Sequence, residues 1–292
     1  MTAPGPGPGP GATGDEPERE ELERLRAQVR DLRAKARAYP QISHAQGILQ
    51  ERYGLPDADS AFALLQQTSQ RLNVKMRILS GAVATVPRPD PGEQLWFPQR
   101  VRLPEPALRF EADRPPEPGN RGAVLGAVLS QTLAVVGTDM GNVQVADRAR
   151  RGLVIEKHTG LTADFVDFFA YVGPTGTACA KAARDGTQVT VRDVESDPVF
   201  DEPSRAAILA AGSRACHSVP LTTAAGLCVG MVSAHSEHTL QGLTRAQLKV
   251  LDVVGGDGGR WLAWHDRTVV LDALEYLHAL GRRMRGTRMR RA

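Results

Sequence analysis

The hydrophobic period changes once along this chain, and that change limits what it can fold into more than any other feature. Up to residue 85 the apolar residues recur at helical steps of three and four; beyond Arg121 they alternate as in strands, interleaved with further helical stretches. Residues 86–119 lie between, rich in Pro and acid (VPRPDPGEQLWFP, LPEPALRFEADRPPEPG), and read as a semi-stiff linker in which Leu95, Trp96 and Phe97 dock. A chain of 292 residues punctuated in this way makes two modules.

The first module is all-helical. Residues 1–14, a Pro/Gly repeat, are expected to be disordered. In residues 15–39 the positions Leu22, Leu25, Val29, Leu32 and Ala36 trace an a/d seam, with acids early and bases late to suit the helix dipole. This coiled-coil helix pairs with a second copy or packs on its own protein, and Pro40 is expected to end it. Residues 40–85 then carry three amphipathic patterns. The first runs from Gln41 to Tyr53, with Ile42, Ala45, Ile48 and Leu49 on one side and Gly54 as the stop. Asp57 is placed to cap the second (Ala61, Phe62, Leu65) and Asn73 the third (Met76, Leu79, Val83). A bundle this small needs a partner for stability.

The second module, residues 120–265, reads as α+β with a largely antiparallel sheet. Gly122 to Val136 is an apolar helix, NVQVAD and LVIEKH are strands, and TADFVDFFAYV and GTACAKAAR are helices. A strand (TQVTVRDV) and a helix closed by Gly212 come next. ACHSVPL and LCVGMVSAH pair across a turn at Thr223 to Gly226, and Thr244 caps a last helix. Gly255, Gly256, Gly258 and Gly259 are expected to weaken or break that helix, which continues to Trp261 and Trp264, since no phosphate-loop context surrounds them. Residues 266–281 supply one more amphipathic helix (Val269, Leu271, Leu274, Leu277, Leu280), expected against the second module or its copy in a dimer.

Charge and cysteine usage narrow the function classes. The net charge of +3 becomes −3 without GRRMRGTRMRRA, whose six arginines form a basic tail over residues 282–292. Such a tail reads as a solvated, disordered end or as a phosphate contact without sequence preference. No long apolar run or signal peptide is present, so no membrane partner is expected. The three cysteines (Cys179, Cys216, Cys228) show no disulfide or zinc spacing, which fits a cytoplasmic protein; no metal site and no particular cofactor is indicated. No catalytic constellation stands out, and a non-enzyme is expected. Cys179, in the first turns of a helix, is the one thiol whose chemistry is weighed against burial in the core. His158, His217, His235 and His238 lack ligand partners at metal-binding spacing.

Residues 41–85 resemble the ANTAR domain, on the strength of Ala45, Gly47, Ile48, Leu49, Ala61, Phe62, Leu64, Leu65, Ser69, Gln70, Asn73, Lys75 and Arg77. The resemblance implies a three-helix module that binds paired short hairpins in a nascent transcript and prevents formation of a terminator, often as a dimer joined by a preceding coiled coil. By that implication Arg71, Lys75 and Arg77 meet phosphates, and Gln46 and Asn73 make polar contacts in loops. Gln46 replaces the usual lysine and Ile78 the usual aspartate, and the stretch has four cations against three acids, a modest +1.

Residues 120–265 resemble the GAF domain through GNVQVAD at 141–147, DFVDFF at 164–169, GPTGTACAKA at 173–182, VRDVESDPVF at 191–200, AAGSRACHSVPL at 210–221 and GMVSAHS at 230–236. This implies a six-stranded sheet with a cavity on one side, used for a small ligand, a redox cue or dimerisation. Phe165, Phe168, Phe169, Cys179 and His217 are the candidate lining, although the helical spacing of the phenylalanines equally makes a core. The expected whole is a homodimeric RNA-binding antitermination regulator whose GAF module senses a signal. The alternative is a dimeric GAF scaffold that no longer binds RNA.

Overall fold

In the computed structural model, residues 15–90, 92–111, 115–148 and 150–289 are described. The expected disorder of residues 1–14 and the last three residues of the basic tail lie outside them.

The first helix, α1, spans Asp15–Tyr53 without interruption and contains Pro40. The expected break at Pro40 is therefore absent. Proline deletes one donor N–H, and the helix continues because its next turns are held in a core through Ala45, Leu49 and Tyr53. Leu25, Val29 and Leu32 of the heptad seam are exposed; the side chain of Leu22 lies outside the described residues. α2 (Ala58–Leu72) starts at Asp57, whose carboxylate accepts from the Ser60 N–H at 2.7 Å, as expected. Asn73 does not cap the third helix. It closes α2 in the left-handed conformation (φ 51°), and Lys75 precedes α3 (Met76–Thr85).

The GAF-like half begins with α4 (Arg121–Val136) and builds one six-stranded antiparallel sheet from β1 (Met140–Asp147), β2 (Gly152–Thr159), β3 (Tyr171–Val172), β4 (Val189–Val191), β5 (Ala215–Thr222) and β6 (Cys228–Ser236). The order is β3-β2-β1-β6-β5-β4. Short helices α5 (Ala163–Phe168), α6 (Ala178–Asp185) and α7 (Glu202–Ala210) cover one face, and α4 with α8 (Arg245–Arg267) covers the other.

Strand alternation divides the residues between those faces. Val143, Val219, Leu221, Val232 and Ala234 join Leu125, Val128, Leu251, Val254 and Trp261 in the α4/α8 core, while Cys216 and Met231 turn toward α5–α7. The glycines of α8 do not break it. A Cβ at Gly255 would meet the Pro220 carbonyl oxygen at 2.6 Å, and one at Gly259 the Thr222 carbonyl oxygen at 2.2 Å, so they are what lets α8 lie directly on β5.

The last helix, α9 (Val269–Met289), overturns two expectations. It is helical into the basic tail, and its apolar stripe joins the N-terminal bundle, not the GAF core. Val270, Ala273, Leu274 and Leu277 instead complete a core with Ala45, Leu49, Leu64, Leu65, Leu79 and Val83. The N-terminal bundle is thus closed by the C-terminal helix. Residues 86–119 are not a free spacer either: Trp96 is buried in the same core, and the Trp96 and Phe97 N–H groups each donate to the Glu275 carboxylate at 2.7 Å. Further along, Trp261 donates to Glu105 at 2.6 Å, and fully buried Asp257 accepts from Arg109 at 2.9 Å. Of the three expected to dock, Leu95 remains exposed.

These contacts set the tolerance of the helix–sheet seam. Gly259→Ala is expected to lower stability by roughly 3 kcal/mol through overpacking. Gly47→Ala, where a Cβ meets nothing within 4 Å, is expected to raise it by up to about 1 kcal/mol. Midpoints of urea unfolding read both.

Candidate functional site

Two places hold the sequence-predicted residues. The first is a small cavity of about 20 Å³ between the sheet and α5–α7, lined among others by Asn142, Gln144, Phe165, Phe169, Cys179 and His235. Three of the five expected lining residues are there: Phe165, Phe169 and Cys179. Phe168 is exposed and only abuts Phe169 edge-on. His217 points to the opposite face of the sheet, where its Nδ1 meets the Thr190 hydroxyl and its Nε2 the Gln188 side-chain oxygen, each at 2.8 Å. The period of two explains the misplaced histidine: Cys216 and Ser218 share the cavity face, so His217 cannot. His235 takes the place expected of His217, with its Nδ1 3.2 Å from the Ser213 hydroxyl and the Phe165 ring edge-on at 5.1 Å. The alternating polar residues Asn142, Gln144, Ser218, Ser233 and His235 were the signal that marked this wall.

Burial governs the titratable groups on both faces of the sheet. Burial pushes both histidines down to about 4, so they are neutral at neutral pH. Burial also raises the thiols of Cys179 and Cys216, the wrong direction for a nucleophile. The side-chain oxygens of Asn142 and Gln144 are buried with no hydrogen-bond partner among the described residues, so the wall presents two acceptors to whatever enters.

The second place is the junction between the modules. Glu156, in β2, has a side chain only 1% exposed and meets three cations: Lys75 at 3.1 Å, Arg77 at 2.7 Å and Arg121 at 3.3 Å. Burial by itself would raise this carboxyl, but the combined pull of Arg121, Lys75 and Arg77 outweighs it and holds the group down at about 2. Glu156 also occupies a β-bulge: Val143 pairs with Lys157 and Gln144 with Ile155, leaving Glu156 as the extra residue. Since Gln144 lines the cavity, the residue that holds the ANTAR-like cations lies one strand position from the cavity wall.

The five residues expected at RNA are thereby sorted. Lys75 and Arg77 are ion-paired to Glu156, a partner no sequence pattern could have named. Gln46 is spent internally, its Nε2 donating to the Ala58 carbonyl at 2.9 Å. Arg71 and Asn73 are exposed at the end of α2.

Comparison with known proteins agrees with this division. Residues 30–83 match the family model of the ANTAR domain and residues 120–257 that of the GAF domain. The chain is built of an ANTAR domain followed by a GAF domain. Similar solved structures include a GAF domain/HD domain protein from Geobacter sulfurreducens (17% identity over 50% of this chain and 94% of that one, TM-score 0.43). The GAF domain from an Acinetobacter phosphoenolpyruvate-protein phosphotransferase is another (12%, 52% and 86%, TM-score 0.42). A third is free methionine-R-sulfoxide reductase from Neisseria meningitidis in complex with its substrate (21%, 54% and 96%, TM-score 0.36). No curated protein matches the chain. Among the described residues no helix is long and apolar enough to cross a membrane.

The depressed Glu156 carboxyl makes a pH prediction. Relative to its ordinary value of 4.5, the shift to about 2 is worth on the order of 3 kcal/mol. That contribution is complete above pH 4.5 and is lost as pH falls toward 2. Urea unfolding of the wild type across that window is expected to show the decline, and Glu156→Gln to lack this part of it while being less stable at pH 7.

Proposed function

We propose that this chain is a cytoplasmic, homodimeric, RNA-binding antitermination regulator in which the GAF domain controls how the ANTAR domain meets a nascent transcript. The ion cluster at Glu156 carries the reading: two of the cations assigned to RNA phosphates are held by a carboxylate of the sensor sheet. RNA phosphates and Glu156 compete for the same guanidinium and ammonium groups, so RNA affinity depends on how firmly the sheet presents its carboxylate.

The cavity supplies the input, a small molecule or a redox cue. At about 20 Å³ it has room for one water-sized group, and anything larger must part the wall that includes Gln144. Movement of β1 at Gln144 acts on the bulge and so on Glu156. The protein forms and breaks no bonds in this scheme; it stabilises one RNA fold over another. Dimerisation uses the exposed seam of Leu25, Val29 and Leu32 on α1. Asn73 and Arg71 complete the RNA face, with Gln46 holding the start of α2 in place.

A mobility-shift titration against a tandem-hairpin RNA and a scrambled control, at two salt concentrations, tests this. The wild type is expected to prefer the tandem hairpin, Arg77→Ala to lose binding, and Glu156→Gln to bind about 10-fold more tightly. Equal or absent binding of both RNAs by wild type and Glu156→Gln alike would sink the antiterminator and leave the dimeric scaffold.

A further inference from the structure

With Lys75 and Arg77 engaged by Glu156, the ANTAR surface has few cations left to attract a polyanion, and the chain without residues 281–292 has a net charge of −3. Of the six arginines in that stretch, Arg282, Arg283, Arg285 and Arg288 lie on α9. This helix belongs to the ANTAR core, and its arginine-bearing end is fixed where Gly281 lies against Tyr53: a Cβ there would meet the Tyr53 ring at 2.6 Å. His278, three residues before Gly281, and Arg282, directly after it, are anchored nearby. The His278 Nδ1 meets the Tyr53 hydroxyl at 2.9 Å, and Arg282 donates to the Gly92 carbonyl at 3.0 Å.

Arg282 and Arg285, three residues apart, share a groove of about 780 Å³ with Arg52 from α1 and Arg88 from the segment after α3. The groove also contains Glu51, Asp90 and Glu93, but among the described residues no ion pair ties Arg52, Arg88, Arg282 or Arg285 to any carboxylate. Glu275, the acid one turn before His278, is occupied with the Trp96 and Phe97 N–H groups. Arg52 is stacked on Trp96 at 4.6 Å, and its Nη1 is buried with no acceptor among the described residues. A guanidinium with an unsatisfied donor, beside three arginines without ion-pair partners, is short of anionic acceptors. The sequence continues the basic run past this point with Arg288, Arg290 and Arg291.

We infer that the groove formed by Arg52, Arg88, Arg282 and Arg285 is a second RNA-binding surface, one that takes the phosphate backbone of the transcript. This rests on the reading of the chain as an RNA-binding protein and adds a site to it. The groove supplies affinity without sequence information, while the α2–α3 region discriminates, a division of labour common to nucleic-acid interfaces. The arginines are anchored on the ANTAR core itself, so the attraction is available whether or not Glu156 releases Lys75 and Arg77.

The test compares full-length wild type with Arg282→Gln/Arg285→Gln and with a charge-matched control, Arg245→Gln/Lys249→Gln, at the exposed start of α8. Affinity for the tandem-hairpin RNA is measured from 50 to 300 mM salt, roughly spanning the physiological range. The groove variant is expected to bind about 10-fold more weakly at 150 mM salt, with the slope of log affinity against log salt reduced by about 1.5, and the control to change by less than about 2-fold. Circular dichroism and unfolding midpoints equal to wild type establish that the groove variant is folded; Arg285→Lys, which keeps the charge, is expected to retain most of the binding. If the wild type binds RNA and loses binding with Arg77→Ala, yet the groove variant matches the control in affinity and slope, the inference is overturned and the antiterminator reading stands. Failure of the wild type to bind any RNA overturns both. Loss of binding to phosphatidylglycerol vesicles in the groove variant, with RNA affinity unchanged, assigns the groove to a membrane surface and also overturns it.

Discussion

The arrangement of this molecule depends on one carboxylate that has been taken out of water. A carboxyl group as enclosed as Glu156 is tolerated only when opposite charges surround it, because the cost of desolvation would otherwise neutralise it. Arg121 from the first turn of α4 is too few for that purpose, and Lys75 and Arg77 from the helical domain complete the shell. The interaction joins the domains and favours one orientation, since losing Lys75 and Arg77 leaves the buried carboxylate with Arg121 alone. The bulge that presents Glu156 falls beside Gln144, so an electrostatic joint and part of the cavity wall are built from one pair of strands.

A second joint runs the other way along the chain. α8 belongs to the GAF core, and after the single interrupting residue Thr268 the chain enters α9, which belongs to the ANTAR core. The segment between Val86 and Gly119 then buttresses both helices through Trp96, Glu105 and Arg109. The helical domain is therefore not severable at its C-terminal boundary. Deleting α9 would uncover the core around Leu49, Leu65 and Leu79, a loss that so small a bundle cannot absorb.

What could be read in advance followed from local rules. The caps Asp57 and Thr244, the strand alternation of β1, β5 and β6, and the turn at Thr223 to Gly226 are each set by neighbours in sequence, and the structure agrees with them. The errors share a different cause, which is that a distant contact decided the outcome. Pro40 stays helical because of packing a turn later; the glycines of α8 serve a strand more than thirty residues away; the apolar stripe of α9 fits a bundle at the other end of the chain. For the candidate site, His217 was misplaced although the pattern sufficed, since counting in twos from Val219 and Leu221 sends it to the α4/α8 face. The pairing of Lys75 and Arg77 with Glu156 was beyond reach, because nothing in either segment encodes the other.

The unbroken α1 has a mechanical meaning of its own. Thirty-nine residues at 1.5 Å each make a rod close to 58 Å long, of which the final third is embedded in the bundle and the rest carries the exposed leucines. Had Pro40 formed a flexible joint, a twist of the bundle would dissipate there. As a single rod, α1 carries torque from the bundle to its far end, and two such rods zipped together would act as a ruler that fixes the distance and the angle between two bundles. In the homodimer proposed above, an RNA with two hairpins would then be measured by the spacing between them as much as by their loops.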